Sequence, residues 1–165
     1  MQYSYQQKQQ IVADLTALIG SPTTGGVGLM SVVPITGVKE LIRITYPNGL
    51  PAVVVPTPTA KESKKVDSQH NDRVNVFELF LVIDITANNN DYMVEELTDM
   101  VLNAFDTDQT LGGTSWPTVD AATSASIPVE DGDKQYLIVP ITLKCHTLID
   151  IPFDLESGAD NAQAG

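Results

Sequence analysis

The sequence predicts a single α+β domain: an antiparallel-rich sheet with two helices packed on one of its faces. Residues 73–87 and 136–149 alternate apolar and polar side chains over long runs, as strands do. Residues 6–19 and 93–104 instead repeat their apolar side chains at helical spacing. The resulting order, α-β-β-β-α-β-β, belongs to a sheet with helices gathered on one side. A chain of 165 residues has room for one core and gives no reason for a second domain.

In the first helix, residues 6–19, Ile11, Val12, Leu15, Leu18 and Ile19 form one apolar stripe, and Gly20 with Ser21-Pro22 ends it. Residues 23–34 are Gly-rich and expected to be irregular. Residues 38–46 follow as a strand with Val38, Ile42, Ile44 and Tyr46 on one face, broken by Glu40. Asn48-Gly49 signals a hairpin, and residues 52–55 supply its return strand. Pro47, Pro51 and Pro56 remove ladder donors, so this hairpin is expected to be short or at a sheet edge. Residues 57–72, polar and carrying Lys61, Lys64 and Lys65, are expected to be an exposed, mobile loop.

The strand at 73–87 places Phe77, Leu79, Leu81, Ile83 and Ile85 on a core face. Its other face carries Val74, Val76, Glu78, Phe80, Val82, Asp84 and Thr86, too apolar for plain surface and too charged for pure core. Such a face suits a subunit interface, and equally a half-covered sheet face in a monomer. Residues 88–91 form a turn that caps the second helix, in which Met93, Leu97, Val101 and Ala104 make the stripe. Glu95 and Glu96 suit the positive end of its dipole. Gly112-Gly113 permits the reversal into a weakly apolar strand at 116–129. Glu130-Asp131-Gly132-Asp133 then turns the chain into the strand at 136–149, with Leu137, Val139, Ile141, Leu143 and Cys145 facing the core. Residues 1–153 make the domain, and 154–165, without periodicity, a loose tail.

Charge narrows the function classes. The formal net charge is -12, and residues 66–133 hold fourteen Asp and Glu against one basic residue, Arg73. A duplex-gripping protein needs Lys and Arg against phosphates, so tight DNA binding is disfavoured. The acidity either maintains solubility or faces a DNA passage and keeps the polymer from sticking, and both readings stay open. No apolar run is long enough to cross a bilayer, the start lacks a signal-peptide core, and the single Cys145 cannot form an internal disulfide. These features suit folding in a reducing cytoplasm.

Chemistry-bearing patterns are weak. Asp106 and Asp108 form an Asp-x-Asp, but Gly112-Gly113 and the lack of a closing Glu break a calcium loop. The Gly25-Gly26-Val27-Gly28 segment lacks the Lys-Ser/Thr ending of a phosphate loop. Ser21 and Ser31 are not in a nucleophile elbow. Neither His70 nor His146 has a Cys or His partner at metal-ligand spacing, and Cys145 is expected to be buried packing. No catalytic, cofactor or metal residue is nominated, and no cofactor is called for.

Several local phrases occur in a telling order. Val38-Lys39-Glu40-Leu41 precedes Tyr46-Pro47 and then Pro51-Ala52-Val53-Val54-Val55. The long strand at 77–85 and the helix through Glu96, Leu97 and Ala104 come next. Thr110-Leu111-Gly112-Gly113-Thr114 and the closing strand at 136–147 complete the series. In this order and spacing, over residues 6–150, the chain resembles the tail terminator (tail completion) proteins of long-tailed bacteriophages. Residues 23–34 and the end after Asp154 do not map onto that pattern.

The resemblance implies a non-enzymatic virion subunit at the neck, on the head-proximal end of the tail, assembled in the host cytoplasm. It implies a hexameric ring that caps the tail tube and ends its polymerisation. The implied partners are further copies of the chain, the tail tube protein and a head-side neck or connector protein. DNA passes through the ring without specific binding, and no membrane is involved. The candidate subunit or tail interface comprises Lys61, Lys64 and Lys65 with Val76, Glu78, Phe80 and Val82. A head-completion or other neck connector protein is the alternative of the same kind. A small acidic binding module would stay monomeric at any concentration, and a small enzyme would show a ligand-induced stability shift.

Overall fold

The computed structural model describes residues 4–22, 28–36, 41, 44, 46, 48–86, 91–115 and 119–150. Its elements are α1 (Ser4–Thr16), β1 (Ser31–Pro34), β2 (Ala52–Val55), β3 (Ala60–Lys65), β4 (His70–Asp84), α2 (Asp91–Thr107), β5 (Val119–Thr123), β6 (Ile127–Asp131) and β7 (Lys134–Asp150). Among the described residues the seven strands form one open sheet, ordered β1-β2-β4-β7-β5. Strand β3 lies in line with β2 along β4, and β6 in line with β5 along β7. All pairings are antiparallel except β1 with β2. The α+β class holds.

The sheet is built around β4 and β7, which pair over fifteen positions from His70↔Asp150 to Asp84↔Tyr136. Alternation sends Phe77, Leu79, Leu81 and Ile83 of β4, with Ile141, Leu143 and Cys145 of β7, to one face, where all are buried. Both helices cover that face: Ile11 and Leu15 from α1, and Leu97, Val101 and Phe105 from α2, complete the main core. The α2 stripe ends on Phe105 rather than on the expected Ala104, which is only half-buried.

Four expectations need correction. Residues 31–34, expected to be irregular, form β1, which runs parallel to β2 in the register Ser31↔Ala52 to Pro34↔Val55. Parallel neighbours need a crossover, and the described residues between β1 and β2 lie on the sheet face away from the helices. There Leu41, Ile35, Ile44, Tyr46 and Leu50 pack on Val54, Val82 and Ile138 as a second, smaller core.

The 38–46 strand is the second. Most of that segment lies outside the described residues, and Leu41, Ile44 and Tyr46, which are described, are not in a strand. Asn48-Gly49 does turn the chain, with Gly49 at φ 88°, but it is not a hairpin. The Ser31 hydroxyl donates to Gly49 O at 2.9 Å and accepts from Asn48 N at 3.3 Å, so the turn is tied to the start of β1. β2 lies between β1 and β4 rather than at an edge, and all four of its residues are buried because both sheet faces are covered there, Val53 and Val55 by the main core and Val54 by the second.

The third is the loop at 57–72. Residues 60–65 are a strand, paired with β4 from Ala60↔Val76 to Lys65↔Asn71. The turn beyond it is closed by Val66 N and Asp67 N, which both donate to His70 O. The fourth is the continuous strand at 116–129, which is two strands, β5 and β6. Ser124 N donates to Pro140 O at 3.0 Å. Pro140 has no N–H to return, so the ladder breaks opposite it. The turn after β6 is as expected, with Asp131 paired to Lys134 and Gly132 at φ 62°. The expected tail, 154–165, and the turn at 88–90 lie outside the described residues.

Candidate assembly surfaces

Strand β3 carries the three candidate lysines. All six of its residues are exposed, because it pairs with β4 on one edge and has no large apolar side chain to bury. Register puts Lys61 and Lys65 on the helix side of the sheet and Lys64 on the other. Lys61 Nζ donates to the Ser4 hydroxyl at the start of α1, 3.4 Å away. Lys64 and Lys65 stand near the tip, followed by Val66, which is 58% exposed. Asp67 is turned back on that tip: it accepts from Gln69 N at 2.7 Å and meets His70 Nδ1 at 2.9 Å. The Gln69 N–H and then His70 hold its carboxyl below the usual carboxylate range.

The second candidate face is divided. Val76 and Glu78 are half-buried in mid-sheet. Phe80 packs against the second core, and Val82 lies fully inside it. Val82 is therefore covered within its own subunit, by the second core that Leu41, Ile44 and Tyr46 help to close, and not offered to another. On the same face, further along, His146 sits between two carboxylates, with Nδ1 3.1 Å from Asp72 and Nε2 3.2 Å from Asp120. This cluster links β4, β7 and β5 and was not foreseen. Alternation put His146 off the core face, but naming its partners required the β4–β7 and β5–β7 registers.

Between the helices lies a cavity of about 610 Å³, which sequence reasoning also missed. Its lining combines apolar Leu18, Met100 and Ala104 with acidic Asp14, Glu96, Asp99 and Asp108. Gln10 donates to one Asp14 oxygen at 2.9 Å. The other oxygen is buried and has no hydrogen-bond partner. Burial first, then the neighbouring Asp108, pushes the Asp14 carboxyl up to about 6. Asp108 has a structural task as well, accepting from Gly112 N at 2.8 Å where the chain reverses. The Asp-x-Asp is thus half turn and half groove. One available signal was Asp14 standing beside the Ile11-Leu15-Leu18 stripe of α1.

The reversal is a left-handed run: Leu111, Gly112 and Gly113 have φ of 51°, 63° and 85°. A buried polar network pins it. Gln7 Nε2 donates to Thr114 O at 2.8 Å and to the Thr147 hydroxyl at 3.1 Å. Cys145 is wholly buried, and burial pushes its thiol up to about 12, away from nucleophilic use. Among the described residues, no group of three or more His, Cys, Asp and Glu is arranged to hold a metal ion. None of their helices is long and apolar enough to cross a membrane. No family model and no curated protein matches the sequence.

Proposed function

We propose that this chain is a tail terminator of a long-tailed bacteriophage, a structural subunit that works as a closed ring on the end of the tail tube. The observation that carries the reading is the β3–β4 arm. It is an ordered strand with every side chain exposed, and it holds three of the nine basic residues of an acidic protein. A strand without a core of its own gains little for the monomer, but it is suited to meeting carboxylates on a neighbour. Its lysines also keep an open sheet edge from pairing indiscriminately.

A heterologous contact repeated by rotation closes into a ring, leaving one end for the tube and the other for the neck. The excess of carboxylates keeps the bore from gripping DNA as it passes, since each phosphate contact strengthens non-specific binding. The resemblance over residues 6–150 supports the same reading. Mass measurement in solution, with negative-stain imaging of the protein alone and mixed with tail tubes, tests it. Rings are expected at high concentration or on tube ends. A monomer under both conditions overturns it.

A further inference from the structure

We propose that the acidic groove between α1 and α2 receives the β3–β4 hairpin tip of a second copy of this chain. The proposal rests on the ring reading and names the contact that would build the ring. Two surfaces of the same subunit complement each other in both charge and polarity. The groove is lined by apolar Leu18, Met100 and Ala104 and by the carboxylates of Asp14, Glu96, Asp99 and Asp108, with no basic residue. The tip carries Lys64 and Lys65 beside the exposed apolar Val66. Lysine stems lie well along apolar surface while their ammonium groups reach a charged rim. The tip's own acid, Asp67, is already engaged by Gln69 and His70.

A subunit cannot fill its own groove. α1 begins beside Lys61 and runs toward β1 and β2, and β2 pairs with the far part of β4 at Phe80–Val82. Asp14 is therefore about 15 Å from Ser4 along the helix. The tip lies roughly 13 Å beyond Lys61 in the opposite direction, where Lys65 pairs with Asn71. The tip is held on the edge of β4 by its pairing, whereas the Asp108 end of the groove is tied through Gln109 to β5, three strands across, so a docked tip comes from another copy and the contact is heterologous, propagating from copy to copy. The tip is already closed by the bonds to His70 O, so docking costs little ordering.

The test uses the full chain with tail tubes present. Val66→Cys combined with Asn103→Cys, a groove residue, should give an inter-subunit disulfide ladder on oxidation, while either change alone should not. Cys145 is buried and stays out of the reaction. K64E/K65E should raise the concentration needed for assembly by about tenfold or more without altering the melting temperature. D99K should do the same, and combining it with K64E/K65E should recover much of the loss. Rings that form normally with K64E/K65E and give no V66C–N103C product overturn this contact and leave the ring reading standing. A V66C product with the tube protein alone overturns the choice of partner. A wild-type chain that stays monomeric with and without tubes overturns both.

Discussion

Asn75 Nδ2 donates a hydrogen bond to Gln7 Oε1 across 2.8 Å, joining the middle of β4 to the first helix inside the core. Gln7 passes the connection on to Thr147 of β7 and to Thr114 in the left-handed reversal. One side chain therefore aligns α1, both long strands and the loop after α2. Gln7→Leu should cost about 1–3 kcal/mol, because it leaves Asn75 and two acceptors unpaired where water cannot replace the partner. Urea unfolding measures this. An unchanged midpoint would mean the network does not hold the helix in place.

The two sheet faces make different demands on neighbouring residues. Leu81 is fully buried under the helices, and Leu81→Ala should destabilise the subunit by about 2–5 kcal/mol. Val82, on the opposite face, is just as buried in the second core. Val82→Asp should therefore abolish folding of the single subunit rather than weaken assembly, since it buries an unpaired charge. Circular dichroism of the two purified variants separates these outcomes. A folded V82D variant would return Val82 to the candidate interface.

Much of the fold was legible in the sequence, for physical reasons that also mark its limit. Residues 77–85 and 137–145 declare a buried face because alternation is local and strong. The reversal at 110–114 and the turn at Gly132 declare themselves through glycines at positive φ. Strand β3 does not, since Ala-Lys-Glu-Ser-Lys-Lys has no apolar period and takes its extended form from β4. Strand β1 is four residues long and depends on parallel partners twenty-one positions away. The break between β5 and β6 is set by Pro140 on another strand. The three lysines were visible as an exposed basic group, whereas the groove required the packing of Asp14 against Asp108.

Gly112 and Gly113 offer a paired comparison. Both have positive φ, so alanine at either should cost about 1–2 kcal/mol in backbone strain. At Gly113 a Cβ meets nothing within 4 Å, whereas at Gly112 it comes within 2.7 Å of the Gln10 amide. That amide also bonds Asp14. G112A should therefore be the more destabilising of the two in thermal unfolding. Equal losses would show that Gln10 moves aside freely.

The Asp14 carboxyl sets a pH dependence with a definite sign. Its folded pKa, about 6, lies above the ordinary value of 3.8, so the folded state holds this proton more tightly than the unfolded chain. Its contribution to stability is complete below the unfolded pKa and is lost as pH rises through about 6. Asp67 and Asp84, held below their ordinary values, act oppositely at lower pH, which makes the difference between variants the useful quantity. Asp14→Asn should gain on the wild type as pH rises from 4 to 7, read as melting temperature. A constant offset across that range would mean Asp14 does not titrate there.

The proposed tail-terminator role is tested most directly by electron microscopy of phage particles assembled with the gene for this chain deleted. A tail terminator ends tube growth and provides the head's docking surface. Its loss should therefore leave filled heads unjoined to tails, with tails of irregular length, and adding back the purified chain should restore joining. Tails of normal length attached to heads in its absence would contradict the assignment.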